Sequence, residues 1–329
     1  MPKAFFVLNP VTGLFPPHVH RRWFENHFRQ MGWDYVVYET TGKEDLAKIV
    51  RHQIDNSIDL IVASGGDGTI SGVASGMVNS RVPLGILPTG TANLFSRDIG
   101  IPIDHDRALK LLTGKHSLLE LDLMISMNRA FVMNMSVGLS AKTIHHTERE
   151  QKRRFGLFAY MWNGAANLFG YHQETFNLVI DGTQRKVKAS EIMVANSSLI
   201  GLRTLQQNKE IIPDDGKVEI CVFRARTLVD WLVVIRNVII RHSERNTRFR
   251  LFYASDYISI KTRKPLLIQG DGEILGTTPV EIKILPRALR IIVPLTSQPF
   301  INLTNPFNFV QNSIIQKSKI KNSKNTLKD

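Results

Sequence analysis

Short apolar runs alternate with helix-period segments through roughly the first 120 residues. Residues 3–8 read as a buried strand, and Trp23, Phe24, His27, Phe28 and Met31 follow at helical spacing. Residues 35–38 predict a second strand, and Leu46, Ile49, Val50 and Ile54 mark one face of a second helix. Residues 60–63 predict a third strand that runs into a glycine-rich turn. Beyond that turn Ile70, Val73, Ala74, Met77 and Val78 repeat at i, i+3, i+4, i+7 and i+8, the clearest amphipathic helix in the chain. Residues 84–87 predict a fourth strand. Such βαβα alternation implies a parallel sheet with helices on both faces, an architecture in which ligands sit outside the carboxyl ends of the strands. The loops at Asn9, Thr40, Gly65 and Thr89 all leave such ends.

From about Asn128 onward the period changes to two. Val218, Ile220 and Val222 alternate with Glu219, Cys221 and Phe223, and Val280, Ile282 and Ile284 alternate with Glu281 and Lys283. This half reads as mostly antiparallel β, with helical interruptions around 155–169 and 228–241. The expected organisation is an α/β domain over 1–127, a β-rich domain over 128–303, and a solvated basic tail over 304–329.

Composition narrows the classes. Hydrophobic residues at 43% and charged residues at 22% are those of an ordinary globular chain, and 329 residues fit one large or two medium domains. The single cysteine, Cys221, rules out an intramolecular disulfide or a cysteine-based zinc site and fits a reducing cytoplasm. Forty-two Lys plus Arg against 29 Asp plus Glu give a net charge of +13, enough to draw the protein towards nucleic acid, anionic lipid headgroups or phosphorylated small molecules. Residues 4–8 are shorter than an export signal's apolar region. Residues 228–240, interrupted by Asp230, Arg236 and Asn237, fall short of the roughly 20 apolar residues that span a bilayer. A cytoplasmic protein with peripheral membrane contact is expected.

Three loops carry candidate chemistry. The turn Ser64-Gly65-Gly66-Asp67-Gly68-Thr69 lies between a strand and a helix. Its glycines let backbone N–H groups approach a phosphate, and the helix N-terminus adds positive dipole. Asp67 within that cradle would repel phosphate unless a cation intervened, which points to Mg²⁺-mediated contact with a nucleotide; a tight turn capped by an aspartate is the plainer reading. Pro88-Thr89-Gly90-Thr91-Ala92-Asn93 offers Thr91 to a phosphate and Asn93 to a substrate, although both residue types are ordinary helix caps. Asn9-Pro10-Val11-Thr12-Gly13 is a further turn-former cluster. No P-loop, dinucleotide fingerprint or protein-kinase catalytic loop is present, and neither His145-His146 nor His18 with His20 has the spacing of a helical zinc site.

Taken in order, Asn-Pro-Val-Thr-Gly at 9–13, Gly-Gly-Asp-Gly-Thr at 65–69 and Pro-Thr-Gly-Thr-Ala-Asn at 88–93 resemble the diacylglycerol kinase catalytic family, which includes bacterial lipid kinases, sphingosine kinases and ceramide kinases and is distantly related to NAD kinases. The likeness continues through 134–138, Phe155-Gly156, Ala159-Tyr160, Pro213-Asp214-Asp215-Gly216 and Gln269-Gly270-Asp271-Gly272-Glu273, and covers roughly residues 3 to 295. It implies a Rossmann-like N-terminal domain of the NAD kinase and phosphofructokinase type followed by an antiparallel β-sandwich. It implies ATP held by Asn9, Pro10, Gly13, Thr40, Gly65, Gly66, Asp67, Gly68, Thr69 and Thr91, with Thr40 preferred to Thr41 for its spacing from Asp45. It also implies Glu273 as general base, with Asp67 as competitor, and a structural Mg²⁺ on Asp215 and the carbonyls of Ile212 and Lys217.

Phosphoryl transfer to a hydroxyl requires aligned reactants, neutralised phosphate charge and a carboxylate near the hydroxyl, for which Asp67, Asp271 and Glu273 are the candidates. Read without the other motifs, Asp271-Gly272 is a hairpin turn between 266–268 and 280–284. Two positions depart from the family. Leu94 stands where many bacterial relatives carry aspartate, and 199–202 retains only Gly201 of a glycine pair or triplet, so the acceptor need not be diacylglycerol. Lys152-Arg153-Arg154 ahead of Phe155, Leu157, Phe158 and Trp162, and Trp231 flanked by Arg224, Arg226, Arg236 and Arg241, suit either an anionic membrane surface or a helix packed on the β domain. Nucleic acid is not expected, since no recognition-helix or zinc-finger pattern accompanies the lysines. The expected activity is an ATP- and Mg²⁺-dependent lipid kinase. The alternatives are a kinase of a soluble metabolite such as NAD, and a weakly catalytic nucleotide- and lipid-binding regulator; monomer and homodimer both stay open.

Overall fold

The first strand, β1 (Lys3–Leu8), is buried from Ala4 onward, as a central strand of a parallel sheet covered on both faces must be. It pairs in parallel with β2 (Asp34–Glu39) on one side and β3 (Leu60–Gly65) on the other, and β3 pairs in parallel with β4 (Leu84–Pro88). The crossovers are α1 (Pro17–Gln30), α2 (Leu46–Asp55) and α3 (Asp67–Gly76). Phe24 and Phe28 of α1 close on Phe6, one ring stacked at 4.2 Å and the other edge-on at 4.8 Å. Asp45 caps α2 by accepting from the Lys48 amide. The computed structural model describes residues 1–12, 17–139, 141, 173–196, 215–225, 230 and 248–295. The expected helices at 155–169 and 228–241, apart from Asp230, lie outside these residues, as do Lys152-Arg153-Arg154, residues 199–202 and the basic tail at 304–329.

Two short helices, α4 (Leu94–Asp98) and α5 (His105–Thr113), follow β4. The chain then turns antiparallel through β5 (Ser117–Ser126), β6 (Arg129–Phe131), β7 (Asn134–Gly138), β8 (Glu174–Ile180), β9 (Thr183–Ala189), β10 (Glu191–Ala195), β11 (Val218–Phe223), β12 (Phe249–Ala254), β13 (Tyr257–Thr262), β14 (Leu267–Gly270), β15 (Glu273–Thr277) and β16 (Val280–Val293). Two sheets result. One runs β2-β1-β3-β4-β16-β13-β8-β9, with β5 on β16 and β6 on β5; the other runs β12-β11-β10-β7-β14-β15. The second sheet packs Ile192, Val194, Val218, Ile220, Val222 and Ile268 against Phe176, Leu178, Ile180, Ile258, Ile260 and Ile282 of the first, forming the sandwich core.

Three features go beyond the sequence pattern. β16 is 14 residues long, and its far end (Ala288–Val293) joins the core of the N-terminal unit, where Ile291 pairs with Leu84 of β4 and Leu119 of β5. The strand bulges between Leu285 and Leu289, and the buried Asp122 of β5 accepts from the amides of Arg287 (2.7 Å) and Gly216 (2.6 Å), stitching the bulge to the turn before β11. The period-two alternation of β11 also does not separate core from solvent. Glu219, Cys221 and Phe223 are buried on the sheet's other face, and burial pushes the Glu219 carboxyl up to about 7.

Ile291→Ala is expected to lower unfolding free energy by about 2–5 kcal/mol in urea titrations, because it opens a cavity where the parallel and antiparallel parts of one sheet meet.

Candidate active site

The loops after β1, β3 and β4 converge at the carboxyl edge of the parallel strands and are bonded to one another. Asn9 donates from Nδ2 to Thr69 Oγ1 (3.0 Å), and its own amide donates to the Ser64 carbonyl (2.9 Å). The Thr12 and Thr89 hydroxyls are 3.0 Å apart, and the Thr89 and Gly90 amides donate to the Gly65 carbonyl at 3.1 and 3.3 Å. The approach is too close for side chains. A Cβ on Gly65 would lie 2.3 Å from Thr69 Oγ1, and one on Gly90 would lie 2.6 Å from Gly66 Cα. Pro10 is half-buried at the first loop and Thr91 is exposed at the third, while Gly13 lies outside the described residues.

Helix α3 begins at Asp67, so Asp67, Gly68 and Thr69 form its first turn, three residues ahead of the apolar stripe. Gly66 is the N-cap and brings no side-chain cap; its carbonyl accepts from the Thr69 and Ile70 amides. The open first turn of a ten-residue helix is suited to an anion. Thr40 is buried at the end of β2, its amide on the Leu8 carbonyl (2.9 Å). Thr41 instead turns out to Glu44, and that hydroxyl bond holds the Glu44 carboxyl at about 2.

The carboxylates divide by geometry. Asp67 points at α4, accepting from the amides of Leu94 (3.1 Å) and Phe95 (3.0 Å); burial pushes its carboxyl above the ordinary value while these two donors pull it back. Asp271 is buried and fully engaged. Its oxygens accept from Ser71 Oγ (2.5 Å) and from the amides of Val132 (2.9 Å), Met133 (3.1 Å) and Asn134 (2.9 Å), although burial still pushes its carboxyl up. Asp271 and Gly272, with φ of +46° and +86°, form the two-residue turn of the β14–β15 hairpin. The turn and the site are therefore one object, and the strand that completes the hairpin is β15, not residues 280–284. Gln269 locks it, donating to Asn134 Oδ1 (2.7 Å) and Ser136 Oγ (3.0 Å) and accepting from the Gly272 amide (3.0 Å).

Glu273, the first residue of β15, stands free of this network. Its Oε1 is 3.2 Å from where a Gly68 Cβ would be, over the first turn of α3, and its Oε2 accepts from Arg129 Nη2 at 2.9 Å. The fold thus brings Asn9, the glycine turn, Gly90 and Glu273 together from four segments. It turns Asn93 inward instead: this residue is buried with φ +48° and donates to the Gly90 carbonyl, so its amide does not face the cleft. Leu94 packs its side chain on the N-terminal core. Asp215 and Lys217 belong elsewhere, in the turn before β11, where the exposed Asp215 accepts from the Lys217 amide (3.0 Å); Ile212 lies outside the described residues. Arg129, Ser71, Asp122 and Gln269 were given no role by residue type, since each acquires one only through a partner more than 50 positions away.

Residues 3–124 match the family description "Diacylglycerol kinase catalytic domain", and residues 133–293 match "YegS C-terminal NAD kinase beta sandwich-like domain". Similar chains include an uncharacterized Synechocystis protein, 34% identical over 254 residues (75% of this chain, 58% of that one), and the diacylglycerol kinase of Bacillus subtilis, 24% identical over 305 residues (89% and 97%). The chain therefore spans little more than half of the cyanobacterial protein. A crystal structure of a diacylglycerol kinase from Bacillus anthracis superposes with a TM-score of 0.70 at 23% identity, covering 89% of this chain and 97% of that one, a likeness of fold.

Asp271→Ala is expected to cost about 3–5 kcal/mol in equilibrium unfolding, since it leaves a hydroxyl and three amides, two of them buried, without an acceptor, and Asp271→Asn is expected to cost less.

Proposed function

Because the chain belongs to the diacylglycerol kinase catalytic family, a family of kinases, we propose that it transfers the γ-phosphoryl group of ATP to a hydroxyl of a membrane lipid. The observation that carries the reading is Glu273, a carboxylate with one oxygen over the first turn of α3, where an uncapped helix N-terminus suits phosphate. The acceptor hydroxyl attacks the γ-phosphorus in line, its proton passes to Glu273, and the bond to the β–γ bridging oxygen breaks so that ADP leaves with the electron pair. Asn9, Gly65 to Thr69 and Thr91 line the nucleotide side. Asp67, whose oxygens accept from α4, holds the third loop in register; Asp271 positions Glu273 without touching substrate.

Among the described residues no group of three or more His, Cys, Asp or Glu side chains could hold a metal ion, so Mg²⁺ at the turn of Asp215 would rest on two carboxylates at most, with backbone carbonyls. The exposed Asp215 carboxylate sits beside Gly216 with φ +72°, and the buried Glu219, whose Oε2 has no hydrogen-bond partner among the described residues, feels its charge; such oxygens fit a hard cation. When bound, Mg²⁺ supplies positive charge that fixes this turn.

Peripheral membrane contact has support in the outer face of the first sheet. Lys186 and Lys261 flank Asn177 across β9, β8 and β13, Lys188 pairs with Thr175, and Arg263 and Lys264 follow at the end of β13. Lys261 lies on an interior strand, where protection of a sheet edge does not account for it. Among the described residues no ion pair holds these side chains, and no helix is long and apolar enough to cross a membrane.

Incubation with radiolabelled ATP, Mg²⁺ and a lipid panel is expected to put label into an organic-extractable product. Glu273→Gln is expected to lower kcat by about 10²–10⁴-fold; label appearing only in aqueous product, or undiminished turnover in the variant, contradicts the reading. Replacing Lys186, Lys188 and Lys261 with Gln is expected to weaken sedimentation with phosphatidylglycerol vesicles by about 100-fold, at about 1 kcal/mol per charge, while turnover on micellar substrate is unchanged.

A further inference from the structure

Any site that transfers a phosphoryl group must neutralise the charge on its terminal oxygens, and among the described residues the loops after β1, β3 and β4 contain no cation, while the loop after β2 carries the exposed Lys43. Residues 9–12, 64–69 and 88–93 include neither lysine nor arginine. Among the described residues two arginines stand close by. Arg97 is half-buried, its Nε donates to the Ala92 carbonyl (3.1 Å), and it faces the Asp67 carboxylate. Arg129 is different. Its Nη2 is 2.9 Å from Glu273 Oε2, its guanidinium carbon is 5.7 Å from the centre of the Phe131 ring, and its side chain is 42% exposed. Phe131 is itself fixed, buried against the hairpin so closely that a Cβ on Gly270 would lie 2.4 Å from its ring. The aromatic face and the strand β6 backbone therefore hold a cation beside Glu273, the carboxylate that among the described residues overlooks the glycine turn.

Resting on the phosphoryl-transfer reading, we propose that Arg129 is the phosphate-contacting cation of this site. In the structure it pairs with Glu273. When a nucleoside triphosphate enters, the guanidinium moves to the terminal phosphoryl oxygens, because a multiply charged phosphate offers its planar donor fork more than a monovalent carboxylate does. The exchange has two effects at once: it stabilises charge on the group in transfer, and it releases Oε2 of Glu273 so that the carboxylate can accept the acceptor's proton. The carboxylate is thus occupied until the donor is in place, which orders nucleotide before acceptor.

The role separates ATP from ADP, since only ATP carries the oxygens that Arg129 addresses. Equilibrium binding of ATP and of ADP is measured on the wild-type protein, Arg129→Gln and Arg129→Lys. Arg129→Gln is expected to lose about 10- to 100-fold in affinity for ATP, the range for charge-assisted hydrogen bonds, with ADP affinity held within about twofold. Arg129→Lys keeps the charge without the fork and is expected to fall between, with kcat partly restored. An ATP-to-ADP affinity ratio in Arg129→Gln equal to the wild-type ratio overturns the proposal, and so does a loss of equal factor for both nucleotides, as a merely structural arginine would produce. Wild-type protein that binds neither nucleotide sinks the phosphoryl-transfer reading itself, an outcome distinct from wild-type protein whose preference for ATP survives the substitution.

Discussion

The carboxylate of Asp271 is the contact on which the site's geometry depends. It reaches from the β14–β15 turn to Ser71 of α3 and to three consecutive amides at 132–134, so a single buried side chain ties the glycine-turn helix of the N-terminal unit to the hairpin of the C-terminal one. Four donors on one carboxylate offset the cost of burying charge, and they do so only in one relative placement of the three segments. Glu273, two residues on, inherits its position over Gly68 from that placement. Ser75 adds a second tie, its hydroxyl accepting from the Ala130 amide.

The N-terminal half of the site follows from a different constraint, the closeness of backbones at the ends of parallel strands. Gly65, Gly66 and Gly90 sit where a Cβ would collide or nearly so, and the loops they form exchange hydrogen bonds through Asn9, Thr69, Thr12 and Thr89. What remains unsatisfied there is the first turn of α3, whose cap residue has no side chain. The two halves are complementary in charge: backbone dipole and N–H groups on one side, a carboxylate with its arginine on the other.

Much of the N-terminal unit was legible along the chain, because each element is made by neighbours. Period and run length marked β1 to β4 and α1 to α3, and the glycine turn announced its own chemistry. Helix α3 nevertheless starts at Asp67 and not at Ile70, since hydrogen bonding to Gly66, and not the apolar stripe, sets where a helix begins. The β half was readable in type only. Alternation in β11 marked a strand, but it did not tell that Glu219 and Cys221 are buried, because period two reports which residues share a face and not what covers it. Residue type alone made Asp67, Asp271 and Glu273 equal candidates, only the resemblance singled out Glu273, and Asn93 looked available as a polar contact.

Local physics, then, settled the identity of the strands, the helices and the three motif loops: backbone freedom at glycine, helical periodicity and the dipole of a helix end are all properties of a few adjacent residues. The division of labour among the carboxylates, the pairing of Arg129 with Glu273, the inward turn of Asn93 and the return of β16 to the first sheet were decided by the tertiary structure. The bonds of Asp271, the pairing of Arg129 and the return of β16 depend on partners more than a hundred positions apart, Asn93 is buried although its partner Gly90 is three residues away, and a carboxylate's role is set by which donors surround it, a quantity that no linear spacing contains.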